Sequence, residues 1–123
     1  MLKLDITAQV GDFNITAAFG ADAGITALFG PSGAGKTSLV NMLAGLQRPS
    51  QGRIVVQDTV LFDSTLGINL APEQRRLGYV FQESRLFPHM TVAGNLYYGR
   101  RLIPKNIASV DFDTVVDLLA LSP

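Results

Sequence analysis

Nowhere among the 123 residues is there a cysteine, which excludes disulfides and thiolate metal sites. An excess of charge of either sign is also lacking, since ten basic residues stand against ten acidic ones for a formal net charge of zero. No basic run offers a nucleic-acid footprint, and no polybasic patch offers direct binding to lipid headgroups. Apolar runs are short: none approaches the ~20 residues that cross a bilayer, so no direct membrane span is expected. The first residues, Met1-Leu2-Lys3-Leu4-Asp5, do not form a signal peptide, because an acid and alternating polarity interrupt them. Asn14-Ile15-Thr16 matches a glycosylation sequon, but without a secretion signal it reads as strand sequence. A cytoplasmic compartment is expected. A hydrophobic content of 47% with 16% charged residues describes an ordinary globular chain of at most one domain. That length is short for a nucleotide-hydrolysing domain.

One stretch stands out for its chemistry. Gly30-Pro31-Ser32-Gly33-Ala34-Gly35-Lys36-Thr37 fits G-x-x-x-x-G-K-[ST], the phosphate-binding P-loop. At average composition a chain of this length produces such a match by chance roughly a few times per thousand. Before it, Ile25-Thr26-Ala27-Leu28-Phe29 is apolar, β-favouring and of strand length. After it, Leu39, Val40, Leu43 and Leu46 fall on one face of a helix. Gly30, Gly33 and Gly35 can take backbone angles closed to other residues and carry no Cβ to hold a ligand away. Successive N–H groups can then form a nest for anionic oxygens, with the positive end of the helix behind them. From Lys36 to Leu46 there is no acid to compete with a phosphate. The motif therefore predicts that Lys36 reaches the β- and γ-phosphates and that the Thr37 hydroxyl ligates Mg²⁺. Ser38, at the second helical position, either adds a hydrogen bond to the α-phosphate or is a solvated first-turn serine.

The remaining pattern is that of an α/β domain with an appended antiparallel β subdomain. Leu2, Leu4, Ile6, Ala8 and Val10 alternate with polar residues as a half-buried strand does. Gly11-Asp12 predicts a two-residue hairpin turn, with Phe13, Ile15, Ala17 and Phe19 alternating on the return. Gln47 to Gly52 should end the P-loop helix. Arg53–Val56 and Thr59–Phe62 predict a second hairpin turning at Gln57-Asp58, and residues 64–72 read as irregular. Leu77–Phe81 predicts a short apolar strand. Thr91 should cap a helix running to about Tyr98, and Asp111 one that carries Phe112, Val115, Val116 and Leu119 on a single face.

A P-loop alone is shared by many enzyme classes. No N-K-x-D run supports a guanine-specific GTPase. A hydrolase also needs a second, metal-holding carboxylate at the end of an apolar strand. The best mimic is Asp63, after Thr59-Val60-Leu61-Phe62, and it reads as a turn aspartate ending a hairpin strand. A second long pattern is Arg75-Arg76-Leu77-Gly78-Tyr79-Val80-Phe81-Gln82-Glu83, continuing through Arg85-Leu86-Phe87-Pro88-His89 to Gly94-Asn95-Leu96-Tyr97-Tyr98-Gly99. With Gly30 to Thr37 and Ala44-Gly45-Leu46, it resembles the ATP-binding subunits of ABC transporters over the whole chain. Within that family it is most similar to the molybdate importers; sulfate, iron, phosphate and sugar importers share much of the pattern.

The resemblance implies a P-loop ATPase core bearing an N-terminal antiparallel β subdomain. Residues 1–123 would be the N-terminal part of one nucleotide-binding domain. The family's signature motif, Walker B Asp with its catalytic Glu, D-loop and switch His would lie beyond Pro123. By the same resemblance, Gln82 is the Q-loop glutamine that contacts Mg²⁺ and the attacking water and links the site to the membrane subunits. A neutral amide can ligate a cation and orient water, and a loop lets it move with a docked partner. The cofactors implied are ATP and Mg²⁺. The partners implied are membrane permease subunits, a second ATP-binding subunit in a homodimer, and a periplasmic anion-binding protein. The place implied is the cytoplasmic face of a bacterial inner membrane. His89 is not the switch His and reads as an exposed turn residue. Phe13 is the nearest candidate for the aromatic that stacks on adenine, and its alternation with Ile15 and Ala17 fits a core residue equally. The competing readings are a P-loop kinase for a small metabolite, for which Arg75-Arg76 and Arg100-Arg101 are the only arginine doublets, and a non-catalytic nucleotide-binding module. Alone, the 123 residues should show no hydrolysis above background, and the strand at 25–29 should lack flanking partners.

Overall fold

In the computed structural model, residues 1–107 and 110–121 are described, and they divide into two units, residues 1–80 and residues 81–123. The first unit is built on the expected hairpins. Strands β1 (Leu2–Val10) and β2 (Phe13–Ala21) pair antiparallel around Gly11-Asp12, with Val10 opposite Phe13. Strands β3 (Gln51–Val56) and β4 (Thr59–Asp63) turn at Gln57-Asp58 as expected, and a short strand β5 (Ile68–Asn69) joins beside β4 within the stretch expected to be irregular. The sheet runs in the order β2-β1-β3-β4-β5, with every neighbour antiparallel. Period-2 alternation puts Leu4, Ile6 and Ala8 on one face, where they are buried.

Against that face lies helix α1 (Lys36–Ala44), whose Leu39 and Met42 complete the core with Ile54, Leu61 and Phe62. Leu61 and Phe62 are consecutive and both buried, which a regular strand covered on one face would not give. The register between β3 and β4 shifts between Ile54 and Val55, so the extra residue of a bulge frees both side chains to turn inward.

Two expected strands do not form. Residues 25–29 and 77–81 have no regular secondary structure, and Ile25, Phe29 and Val80 are almost wholly exposed. An extended segment becomes a strand only when its N–H and C=O groups meet a neighbour's, and among the described residues none pairs with either run. The P-loop helix is also shorter than its hydrophobic face suggested. It stops at Ala44, leaving Leu46 outside it and half exposed, because Gly45 adopts the left-handed region (φ +82°). Leu46 N–H then donates to Asn41 O at 2.9 Å and Gly45 N–H to Met42 O at 3.3 Å, the paired bonds of a Schellman stop.

The second unit contains helices α2 (Val92–Tyr98) and α3 (Phe112–Leu118), both capped as expected. Thr91 Oγ1 accepts from Gly94 N–H at 3.0 Å and Asp111 Oδ2 from Thr114 N–H at 3.1 Å. The bonds from Thr114 N–H and from the Thr114 hydroxyl, with the nearby Arg100 charge and Asp113 N–H, hold the Asp111 carboxyl below the usual carboxylate range. Phe112 stacks on Tyr97 with ring centroids 4.1 Å apart. Asn95 ties the turn before α2, accepting from Phe87 N–H at 2.7 Å and donating to Thr91 O at 2.9 Å. None of the described residues forms a helix long and apolar enough to cross a membrane.

Candidate functional site

The P-loop residues sit where the motif requires, at the N-terminus of α1. Ala34 N–H donates to Pro31 O at 3.2 Å, closing a turn over Ser32 and Gly33, and among the described residues it is the one loop amide that donates to a loop carbonyl. Gly33 (φ +80°) and Gly35 (φ +88°) both occupy the left-handed region. At Gly35 a side chain is excluded twice over, because an ideal Cβ would also lie 2.8 Å from Ile15 Cδ1 of β2. That contact seats the loop on the edge strand of the sheet. Gly35 then opens the helix, accepting from Leu39 N–H at 2.9 Å, and no acid occupies the first turn.

Lys36 folds back over the loop. Its Nζ donates to Gly30 O at 2.5 Å and Pro31 O at 2.6 Å. The ammonium is thus held at the loop mouth by two neutral acceptors and faces no carboxylate, since the Arg53–Asp63 pair is the one ion pair among the described residues. A lysine held this way can exchange carbonyl partners for the oxygens of an anion without breaking a salt bridge. Thr37 and Ser38 lie in the first turn of α1; the helix begins at Lys36, so Ser38 is its third residue and not its second. The Thr37 side chain is exposed and beside Lys36. Among the described residues no group of three or more His, Cys, Asp or Glu side chains could hold a metal. A Mg²⁺ ion would therefore fit this loop through the Thr37 hydroxyl together with ligand phosphate oxygens.

Other expected site residues have distinct fates. Asp63 is buried and structural: its Oδ1 accepts from Thr65 N–H at 2.9 Å and Leu66 N–H at 3.0 Å, and Oδ2 pairs with Arg53 Nε at 3.3 Å. Phe13 is not a core residue. It is 68% exposed on the strand face it shares with Ile15, because it begins β2 beyond the reach of α1. His89 lies in an exposed turn, with its ring edge-on to Phe87. Gln82 belongs to the second unit, in an exposed bend outside helix and strand.

Sequence reasoning missed the groups at the other end of α1. Arg75 is 4% exposed and donates to Met42 O at 2.9 Å, Leu43 O at 3.0 Å, Leu70 O at 2.9 Å and Asn69 Oδ1 at 2.9 Å. Burial pushes its pKa down from the ordinary arginine value. Nearby, Tyr79 Oη donates to Asn41 Oδ1 at 2.7 Å. No sequence signal marks an arginine for burial; the glycine ending α1 was the one available hint.

A protein-family model described as ABC transporter matches residues 17–123. The molybdenum import ATP-binding protein ModC of Rhodospirillum rubrum is 57% identical over 122 residues, which is 99% of this chain and 33% of that protein. The proteins of the same name from Paramagnetospirillum magneticum and Mesorhizobium japonicum are 53% and 50% identical, over 98% and 99% of this chain and 33% of their own lengths. The chain thus spans about a third of the length of the curated relatives it matches. With the P-loop at the head of α1 and a family match that runs through the Gln82 segment, the chain belongs to the ABC transporter family.

Proposed function

We propose that these residues are the N-terminal part of the nucleotide-binding domain of an ABC importer ATPase, and that the loop 30–38 binds the phosphates of ATP. The observation that carries this reading is the Lys36 ammonium resting on the Gly30 and Pro31 carbonyls at the positive end of α1. In the bound state Lys36 turns from those carbonyls to the β- and γ-phosphates, the loop amides of residues 30–36 line the anion, and Ser38 serves the α-phosphate. Thr37 and Gln82 are assigned to Mg²⁺, and Gln82 also to the attacking water and to coupling with membrane subunits. Phe13, exposed on the strand face that meets the loop through Ile15, is assigned to stack on the base.

The transported anion is proposed to be molybdate, on the names of the relatives that match nearly the whole chain. The partners are then permease subunits, a second copy of the ATP-binding subunit and a periplasmic anion-binding protein, with the domain working at the cytoplasmic face of the inner membrane. The full-length protein tests the reading. Lys36→Ala should weaken ATP binding about ten- to a hundredfold, the loss of a charge-assisted contact of about 1.5–3 kcal/mol. Titration of labelled ATP against both forms reads this, and equal affinities would remove the loop as the phosphate site. Gln82→Ala should leave ATP affinity nearly intact and lower stimulated hydrolysis, because orienting water matters in the transition state. Normal stimulated turnover and transport in that variant would take Gln82 out of the mechanism.

A further inference from the structure

An open sheet has two edge strands, and in the first unit they are unlike. At one end β5 is two residues long, too short to offer a neighbour much of a ladder. At the other end β2 runs for nine residues and pairs on one side alone, with β1. That pairing is continuous from Leu2 opposite Ala21 to Val10 opposite Phe13, so no bulge twists the edge away. Among the described residues no backbone hydrogen bond from outside the sheet reaches residues 13–21. The outward N–H and C=O groups of β2 are therefore an open ladder.

Native sheets blunt a long edge with charge or proline, and β2 has neither. The charges lie on the inner strands instead: Lys3 and Asp5 on β1, Arg53 on β3, Asp63 on β4. An uncharged edge does not repel a second copy of itself.

The order of side chains along β2 also suits self-pairing. A two-fold axis through Ala17, normal to the sheet, sets an antiparallel copy with Phe13 against Ala21, Asn14 against Gly20, Ile15 against Phe19 and Thr16 against Ala18. Phe13 meets a small residue, and Ile15 with Phe19 is an aromatic–β-branched pair of the kind that stabilises neighbouring strands. The faces agree as well. Ile15, Ala17 and Phe19 are half-buried on the side of α1, whereas Asn14, Thr16, Ala18 and Gly20 are exposed on the other side, and this axis keeps each set with its own kind. A slip of one residue would set Ile15 against Gly20 and mix the two faces.

We propose that β2 is a strand-pairing surface for a second copy of this chain, joined antiparallel about Ala17 into one continuous sheet. The proposal stands on the sheet alone and does not rest on the reading of the loop as an ATP site.

The test uses the full-length protein without nucleotide, with any other cysteine replaced by serine, and a short bifunctional thiol crosslinker. Thr16→Cys places two thiols diagonally across the axis, about 7–8 Å apart. Asn14→Cys, on the same exposed face, places them six residues apart along the paired strands, about 20 Å. The expected result is a crosslinked dimer in Thr16→Cys at a yield at least about tenfold above that of Asn14→Cys. Adding Asn14→Lys and Gly20→Lys to Thr16→Cys sets like charges opposite each other and should lower that yield about tenfold. Gly20 accepts a side chain, since an ideal Cβ there lies 3.5 Å from Leu2 O, an ordinary contact. Equal yields in Thr16→Cys and Asn14→Cys would mean random collision and overturn the proposal. No crosslink in either would overturn it too, leaving β2 to a strand of another protein or to residues 25–29 of its own chain. A Thr16→Cys yield that ignores the two lysines would overturn the strand pairing about Ala17.

Discussion

Residues 1–80 and residues 81–123 use apolar side chains to opposite ends. In the first unit nine apolar side chains are buried, eight of them in one cluster between the sheet and α1. In the second, no residue of either helix is buried, and Leu96, Ile103, Phe112, Val115 and Val116 line an open groove of about 380 Å³. Both units are rich in apolar residues, so composition does not account for the contrast. Pairing within each unit does: five paired strands leave one face that a single helix covers, whereas the described residues of the second unit form two seven-residue helices and no strand. The first unit therefore holds its loop against a packed base.

The sharpest way to break this comparison is to cut into both units of the chain equally. Phe62→Ala empties a wholly buried site and should cost about 3–5 kcal/mol, a large share of any domain's stability. Leu118→Ala, at a residue 81% exposed, should stay within about 0.5 kcal/mol. Urea melts followed by far-ultraviolet dichroism read both. Similar losses would mean that the second unit has a packed core of its own.

A smaller effect tests whether the loop depends on the sheet beneath it. Gly35→Ala forces a side chain into the left-handed region and onto Ile15, costing about 1–3 kcal/mol and weakening nucleotide binding. Adding Ile15→Ala should recover the part due to the collision and leave the backbone strain. If the double variant regains nothing, Ile15 does not seat the loop.

The smallest effect belongs to the second unit. The bond from Thr114 N–H depresses the Asp111 carboxyl, so its contribution to α3 is fully present above the ordinary carboxylate range. It is lost as pH falls through the depressed value, below that range. Amide exchange at Thr114 should accelerate there, while Asp111→Asn, which keeps an acceptor without a titrating group, should show no such step. A step of equal size in both would mean that Asp111 is not the titrating cap.

Local rules made much of this legible in advance. Alternation and turn residues located both hairpins, Thr91 and Asp111 announced their helices, and Gly30 to Thr37 marked the loop that opens α1. The stretches that misled were those whose state depends on a distant partner. Residues 25–29 and 77–81 have strand-like composition, yet a strand is a relation between two segments, and neither finds its neighbour among the described residues. Phe13 was ambiguous for the same reason, because alternation names a face without saying how far the covering helix extends.

What the amino-acid order determined by itself is therefore the set of short-range features: turns, caps, the glycine-rich loop before α1 and the period of each strand. They depend on backbone angles and bonds spanning a few residues, which each residue type biases directly. Tertiary structure alone decided that Arg75 packs on the end of α1, that the Leu61 bulge turns two neighbours inward, and that an arginine is buried there without an acid among the described residues. Those outcomes turn on contacts across tens of residues, Met42 with Arg75 above all, and such contacts exist only once the sheet and its helix have come together.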